Sequence, residues 1–162
     1  MTVSTKGYKG PLPTPDFRRQ VAQESYPPFV DGISGEFVNS GEVRILGVAG
    51  FAGKVTNVIA SVASSGKNST SVPTVTFNVA INGTSVFTTK PIIAHVSGEA
   101  AQHKTTYEEA ADTGITAAVI DEDNNIFAIG DILTWTATYS GAAAPTTKIR
   151  SPSILVEIGP AD

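Results

Sequence analysis

Hydrophobic and polar positions alternate through most of the chain after residue 33, and this alternation predicts β-strands. The stretches "EVRILGV" (42–48) and "GKVTNVIASVAS" (53–64) combine β-branched residues with the two-residue period of a strand. In the second stretch both faces are partly apolar. A strand of this kind is expected between crowded neighbours in a packed sandwich.

A β-hairpin is predicted over "TVTFNVAINGTSVFTTKP" (74–91). Asn-Gly between two alternating runs is a strong hairpin signal, because a type I′ turn needs positive φ at both central residues. The first strand places Phe77, Val79 and Ile81 on one face. The return strand is expected to alternate without a break up to Pro91.

The second half of the chain predicts further strands, separated by turns and two longer loops. Residues 98–114 are polar and Ala-rich, which indicates an excursion with room for one helical turn. In "ITAAVIDEDNNIFAIGDILTWTATYSG" (115–141) a strand, a turn at 123–125 and a long strand follow, with Leu133 and Trp135 in the core.

The segments 64–71 and 141–148 are loops by composition, and 148–160 is a final strand with Pro152 at an edge or a bulge. About eight strands result. We therefore predict an all-β fold, a jelly-roll-like or Greek-key β-sandwich over residues 33–162.

Residues 1–32 differ in composition and predict an extended, Pro-rich N-terminal arm. Large side chains recur along it, whereas a disordered linker contains few aromatics. We expect the arm to become ordered against a partner or a neighbouring copy, with a flexible tail as the alternative. The predicted partner-binding residues are Tyr8, Leu12, Phe17, Arg18, Arg19, Tyr26 and Phe29.

The amino-acid composition limits the classes of function that fit this chain. Charged residues make up 16% of the chain, against an average near a quarter, which suits a surface that packs on other protein or an ordinary secreted β domain. The net charge of −4 is not that of a nucleic-acid binder. The absence of cysteine excludes disulfides and thiol catalysis. We predict no signal peptide and no membrane contact, because no long apolar run occurs.

No set of residues predicts catalysis, so we expect a non-enzyme without cofactor or metal. His95, Glu99 and His103 have a spacing that could hold zinc on one helix, but Gly98 argues against that helix. The run "DEDNN" (121–125) lacks the spacing of a calcium loop and predicts a turn. An acidic cleft containing Glu109, Asp112 or Asp131 would revive the enzyme hypothesis.

The order "KVTNVIASVA … TVTFNVAINGTSVFTTKP … ITAAVID … FAIGDILTWTATYSG … ILVEI" resembles capsid decoration (cement) proteins of tailed bacteriophages and other phage virion structural proteins. The resemblance covers residues 53–158 and does not include the arm. It implies a jelly-roll-like domain, usually a homotrimer, seated on the outside of the capsid at junctions between major capsid protein subunits, where it resists internal pressure.

Two alternatives remain open at this point. One is a phage tail or head-fibre component that binds the host surface through the loops 64–71 and 141–148. The other is a carbohydrate-binding β-sandwich module, which would be expected to have a signal peptide and a row of exposed aromatic residues.

Overall fold

The computed structural model describes residues 28–37, 41–107 and 112–161, and in this part of the chain the fold is all-β, as predicted. It contains no helix there and sixteen strand segments. These are β1 (Phe29–Gly32), β2 (Glu36–Phe37), β3 (Arg44–Val48), β4 (Gly53–Val62), β5 (Ser64–Lys67), β6 (Thr74–Ile81), β7 (Thr84–Ser85), β8 (Phe87–Thr89), β9 (Ile92–Ala94), β10 (Lys104–Thr105), β11 (Ile115–Thr116), β12 (Val119–Ile120), β13 (Ile126–Phe127), β14 (Ile132–Ser140), β15 (Thr147–Arg150) and β16 (Ser153–Pro160).

Two antiparallel sheets form a sandwich. The five-stranded sheet has the order β1-β16-β4-β10, with β13 also paired to β4. The six-stranded sheet has the order β11-β9-β6-β14-β3, with β7 also paired to β6. Strands that are neighbours in a sheet, such as β4 and β16, lie far apart in sequence, because the chain crosses repeatedly between the sheets. Smaller sheets, β12-β8 and β2-β15-β5, complete the described body.

The core lies between the inner faces of the two large sheets. The alternation of β6 and β14 is confirmed: Phe77 and Trp135 are buried, and their rings stack with centroids 6.3 Å apart. The predicted core residue Leu133 is fully buried. On β4, Val55 and Val58 both point inward although they are three residues apart, because the register with β16 shifts between Glu157 and Ile158.

The predicted Asn82-Gly83 turn is confirmed, with φ values of 49° and 88°. The prediction of an unbroken return strand was wrong. The return pairs with β6 only at Thr84–Ser85, and consecutive Val86 and Phe87 are both buried. Two consecutive inward side chains cannot belong to one regular strand. The chain therefore leaves the sheet, and Phe87–Thr89 pairs with β12 before β9 rejoins β6.

Three other predicted boundaries differ from the structure. The loop predicted at 64–71 begins with β5, and the described part of 98–114 contains β10 and no helical turn. The single strand predicted over 148–160 is two strands, split at Ser151, whose φ is +49°. Pro152 therefore occupies a link between sheets instead of an edge or a bulge. Strands divided in this way give more segments than the eight expected.

The range assigned to the arm ends inside the body. Phe29–Gly32 forms β1 and pairs with Val156 to Ser153 at the edge of the five-stranded sheet. Four residues of the predicted arm are therefore part of the sandwich.

Candidate functional surfaces

The outer face of the six-stranded sheet is uncharged and rich in threonine. Thr138 lies opposite Thr76, and Thr136 lies opposite Asn78. Their inward neighbours fill the core, so these side chains point away from it. We call the set the threonine face: Thr74, Thr76, Asn78, Ile92, Thr134, Thr136 and Thr138, all half-buried or exposed.

The threonine face can bind other protein at a low desolvation cost. Hydroxyl groups both donate and accept hydrogen bonds, and burial of a hydroxyl costs much less than burial of an ionised group. The cores of protein–protein interfaces are depleted in charge. In an antiparallel sheet, successive outward side chains lie about 7 Å apart along a strand and about 5 Å apart between strands, which gives a regular array.

Asp31 ties the first strand of the body to the opposite sheet. Its Oδ2 accepts hydrogen bonds from Arg44 Nε and from Trp135 Nε1, both at 2.8 Å, and its Oδ1 accepts from Arg44 Nη2 at 3.2 Å. Arg44 and Trp135 belong to β3 and β14, so the carboxylate links the two layers. The hydrogen bond from Arg44, followed by those from Trp135 and Gly32, lowers the pKa of Asp31 from 3.8 to about 2.

We expect this cluster to make stability pH-dependent under acid conditions. Because the pKa of Asp31 is lower in the folded chain, its ionisation stabilises the fold above about pH 4 and that contribution is lost as pH falls through about 2. After allowance for solvent screening, we expect about 1–2 kcal/mol. Urea unfolding of wild type and Asp31→Asn should differ by this amount at pH 6, and the difference should vanish below pH 2. A difference that stays constant with pH would contradict this role.

Lys104 is fully buried and was not predicted from sequence. Its Nζ donates to Ala94 O at 3.1 Å, Glu99 Oε2 at 2.8 Å and Thr113 O at 2.6 Å, so all three protons are used. The Glu99 carboxylate also accepts from the Thr113 hydroxyl. Lys104 and then Thr113 lower the pKa of Glu99. One lysine in a polar stretch has no periodicity that would signal burial.

The structure does not assemble the zinc set considered from sequence. His95 is buried and its Nδ1 has no hydrogen-bond partner, whereas His103 is exposed and Glu99 is bound by Lys104. Across the described ranges, no group of three or more histidine or acidic residues could hold a metal ion. Asp121 accepts from the Asp123 amide and from Asn124 Nδ2, which closes the turn predicted from "DEDNN".

The carboxylates considered for an acidic cleft serve as local hydrogen-bond acceptors. Asp112 accepts from the Thr105 amide. Asp131 accepts from the Ala128 amide and from Asn82 Nδ2, and these bonds, in that order, lower its pKa. Glu109 lies outside the described residues.

A cavity of about 230 Å³ lies beside the middle of β4, between the parts of that strand that pair with β13 and β10, and neither Asp112 nor Asp131 lines it. The lining residues are Asn57, Val58, Ile59, Thr106, Tyr107, Ala117 and Ala118. Tyr107 is 45% exposed, and the Asn57 amide group donates to Glu157 at 3.2 Å.

The predicted arm residues fall mostly outside the described part. Tyr8, Leu12, Phe17, Arg18, Arg19 and Tyr26 lie outside the described residues. Phe29 is in β1, and its ring lies so close to Gly47 that a Cβ there would be 2.9 Å from Phe29 Cε1. It packs against the core of its own chain.

The two loops considered for host contact lie next to each other. β5 lies within the first loop, and β15 begins at the end of the second. These two strands pair with each other, with Lys67 opposite Thr147 and Ser65 opposite Ile149. Residues 68–71 follow β5, and residues 141–146 precede β15.

Comparison with family models, curated proteins and solved structures gave no match to this chain. In the residues that the structure describes, no helix is long and apolar enough to cross a membrane. The fold and its surfaces therefore provide the basis for a functional proposal.

Proposed function

We propose that this chain is a structural virion protein that binds the outside of a phage capsid, as a homotrimer, and stabilises the junctions between major capsid protein subunits. The observation that carries the proposal is the threonine face. A broad and regular sheet surface without charged residues is suited to burial against another protein. The sequence resemblance to capsid decoration proteins supports the same function.

Multivalent attachment supplies the mechanism. Packaged DNA pushes capsid subunits apart, and a protein that binds several subunits at once adds buried area across their junctions. Each contact can be modest, because linked contacts raise the total affinity through effective concentration. The sandwich is suited to resist this outward pressure. Hydrogen bonds join the strands within each layer, and Asp31 links the two layers.

The arm adds a second means of attachment in this proposal. It contains Tyr8, Leu12 and Phe17, which could bury apolar area, and Arg18 and Arg19, which could pair with capsid carboxylates. Because β1 begins at Phe29, a truncation that tests the arm should remove residues 1–27 only. Removal of residues 1–30 would also take half of β1.

A charge placed on the threonine face should weaken capsid binding. Thr138 is exposed on this face, and Thr138→Glu would bury an unpaired carboxylate at the interface. We expect affinity for empty capsids of the virus that encodes the chain to fall by about tenfold or more. The matched control is Thr56→Glu, on an exposed position of the five-stranded sheet. Co-sedimentation measures both, and equal binding by the two variants would contradict the proposal.

The cavity beside Tyr107 favours carbohydrate binding as a second candidate function. The exposed Tyr107 ring offers stacking to a sugar, and the Asn57 amide group, which also donates to Glu157, offers hydrogen bonds. A glycan array probed with wild type and Tyr107→Ala distinguishes the candidates. Glycan binding that depends on Tyr107, without capsid binding, would support this second function.

A further inference from the structure

The Asn82-Gly83 turn combines the two residue types between which a backbone nitrogen most readily attacks a side-chain amide. In this reaction the Gly83 nitrogen loses its proton and bonds to Cγ of Asn82, and the bond from Cγ to Nδ2 breaks as that nitrogen takes up a proton and leaves as ammonia. Water then opens the succinimide ring to aspartate or isoaspartate. Glycine favours the attack because it has no Cβ and its backbone rotates freely. Both residues are exposed, so water reaches them.

The backbone of the turn keeps the two reacting atoms apart. The φ values of 49° and 88° at Asn82 and Gly83 are those of a type I′ turn, in which ψ of the first central residue is about +30°. At this ψ the Gly83 nitrogen lies nearly opposite Cβ of Asn82 across the Cα–C bond, whereas ring closure needs the two on the same side. The reaction therefore requires the turn to open.

The Asn82 side chain is bound at both ends by the start of β14. Its Oδ1 accepts from the Ile132 amide at 2.9 Å, and its Nδ2 donates to Asp131 Oδ1 at 2.7 Å. The Asn82 amide also donates to Ile132 O at 2.9 Å. A backbone N–H can only donate and an ionised carboxylate can only accept, so these partners determine which end of the side chain carries the oxygen. These bonds hold both the side chain and the turn in the unreactive arrangement.

Asp131 is itself fixed in place and charged. Its Oδ2 accepts from the Ala128 amide at 2.7 Å. This bond, followed by the one from Asn82, lowers the pKa of Asp131, so the carboxylate is ionised at neutral pH. An ionised carboxylate accepts the N–H of the Asn82 amide but cannot supply the proton that the departing nitrogen needs.

We propose that Asn82 is a latent deamidation site and that Asp131 suppresses the reaction by holding the Asn82 side chain against β14. The products do not fit this arrangement. Aspartate at position 82 would place a second carboxylate where Nδ2 now lies 2.7 Å from Asp131, and isoaspartate would add a main-chain carbon to the turn. Conversion would therefore detach the turn from β14. This inference goes beyond the proposed function and does not depend on capsid binding.

Site-resolved mass spectrometry of the full-length chain tests the proposal. Wild type and Asp131→Ala are incubated in mildly alkaline buffer, and tandem mass spectra locate the converted asparagine. A hydrogen bond to a charged group favours the closed arrangement by about tenfold or more, so Asp131→Ala should speed conversion of Asn82 by about that factor. Wild type unfolded in urea is the unprotected reference, and it should react faster at Asn82 than either folded protein.

Two controls separate local protection from general stability. Asn68, which precedes Ser69, donates to Thr70 and Ser71 within its own loop, so its rate should be the same in wild type and Asp131→Ala. The matched variant is Glu157→Ala, which removes the carboxylate that accepts from Asn57 in the other sheet and should leave the rate at Asn82 unchanged.

Three results would overturn the proposal. They are equal rates at Asn82 in wild type and Asp131→Ala, a wild-type rate in the folded chain equal to that in urea, and an increase at Asn68 in Asp131→Ala as large as the increase at Asn82. The last result would show that the variant unfolds as a whole and that Asp131 has no local protective role.

Discussion

Trp135→Ala is expected to lower the free energy of unfolding by about 3–5 kcal/mol, among the largest losses for any single substitution in this chain. Trp135 is 1% exposed, and its ring stacks on Phe77 of the neighbouring strand, on the inner face of the six-stranded sheet. The substitution leaves a cavity and also removes the indole N–H that donates to Asp31. Urea unfolding followed by circular dichroism measures the loss, since the chain has a single tryptophan and the variant has no indole fluorescence.

Trp135→Phe separates the two contributions to that loss. Phenylalanine keeps an aromatic ring against Phe77 and leaves a smaller cavity than alanine, but it removes the donor to Asp31, which remains bound by Arg44. We expect a loss of about 1.5–3 kcal/mol, as for a hydrogen bond to a charged group. If the two variants lose the same amount, cavity formation is not the main cause and this account of the core is wrong.

Lys104→Met is the second substitution with a large expected effect, about 3–5 kcal/mol of stability. Methionine fills the volume of the side chain, but the carbonyl groups of Ala94 and Thr113 and the Glu99 carboxylate lose their shared donor. Removal of the buried ammonium leaves two carbonyl groups without their donor and the partly exposed Glu99 carboxylate without its counter-ion. Thermal and urea unfolding at neutral pH measure the effect.

Glu99→Gln is the matched control for the lysine cluster. Glutamine retains an oxygen acceptor for Lys104 and removes the negative charge, and the two carbonyl groups still bind the ammonium. The loss should therefore be clearly smaller than for Lys104→Met. Wild-type stability in the methionine variant would show that the buried ammonium is not needed to hold Ala94, Glu99 and Thr113 together.

Local patterns in the sequence predicted the elements whose determinants are local. Asn82-Gly83 specifies its turn because both residues tolerate positive φ, and alternation along β14 places Leu133 and Trp135 inward. The buried faces of these strands are set by a period of two, which is visible without knowledge of the partner strand.

Features that depend on distant partners could not be predicted. Lys104 is buried because carbonyl oxygens from two other segments converge on it, and no pattern around position 104 encodes them. Lys67 and Thr147 pair although they are eighty residues apart, so composition alone indicated loops. Phe29 was assigned to the arm because prolines surround it, whereas its partner Val156 places it in the sheet.

The candidate surfaces were predictable only in part. The outward positions of β14, including Thr134, Thr136 and Thr138, follow from the alternation. Their combination with Thr74, Thr76 and Asn78 into one face requires the pairing of β6 with β14, which is a matter of register. Val48 and Ile132 are likewise exposed side by side only because β3 pairs with β14, which the sequence does not show.

Size-exclusion chromatography with light scattering tests the central proposal, that this chain stabilises a capsid by attachment. The full-length chain is run alone and mixed with empty capsids of the phage that is proposed to encode it. We predict that the free chain has three times the mass of one chain and that the capsid peak gains mass up to a fixed number of copies. A capsid peak of unchanged mass, with all the chain still in its own peak, would contradict the proposal.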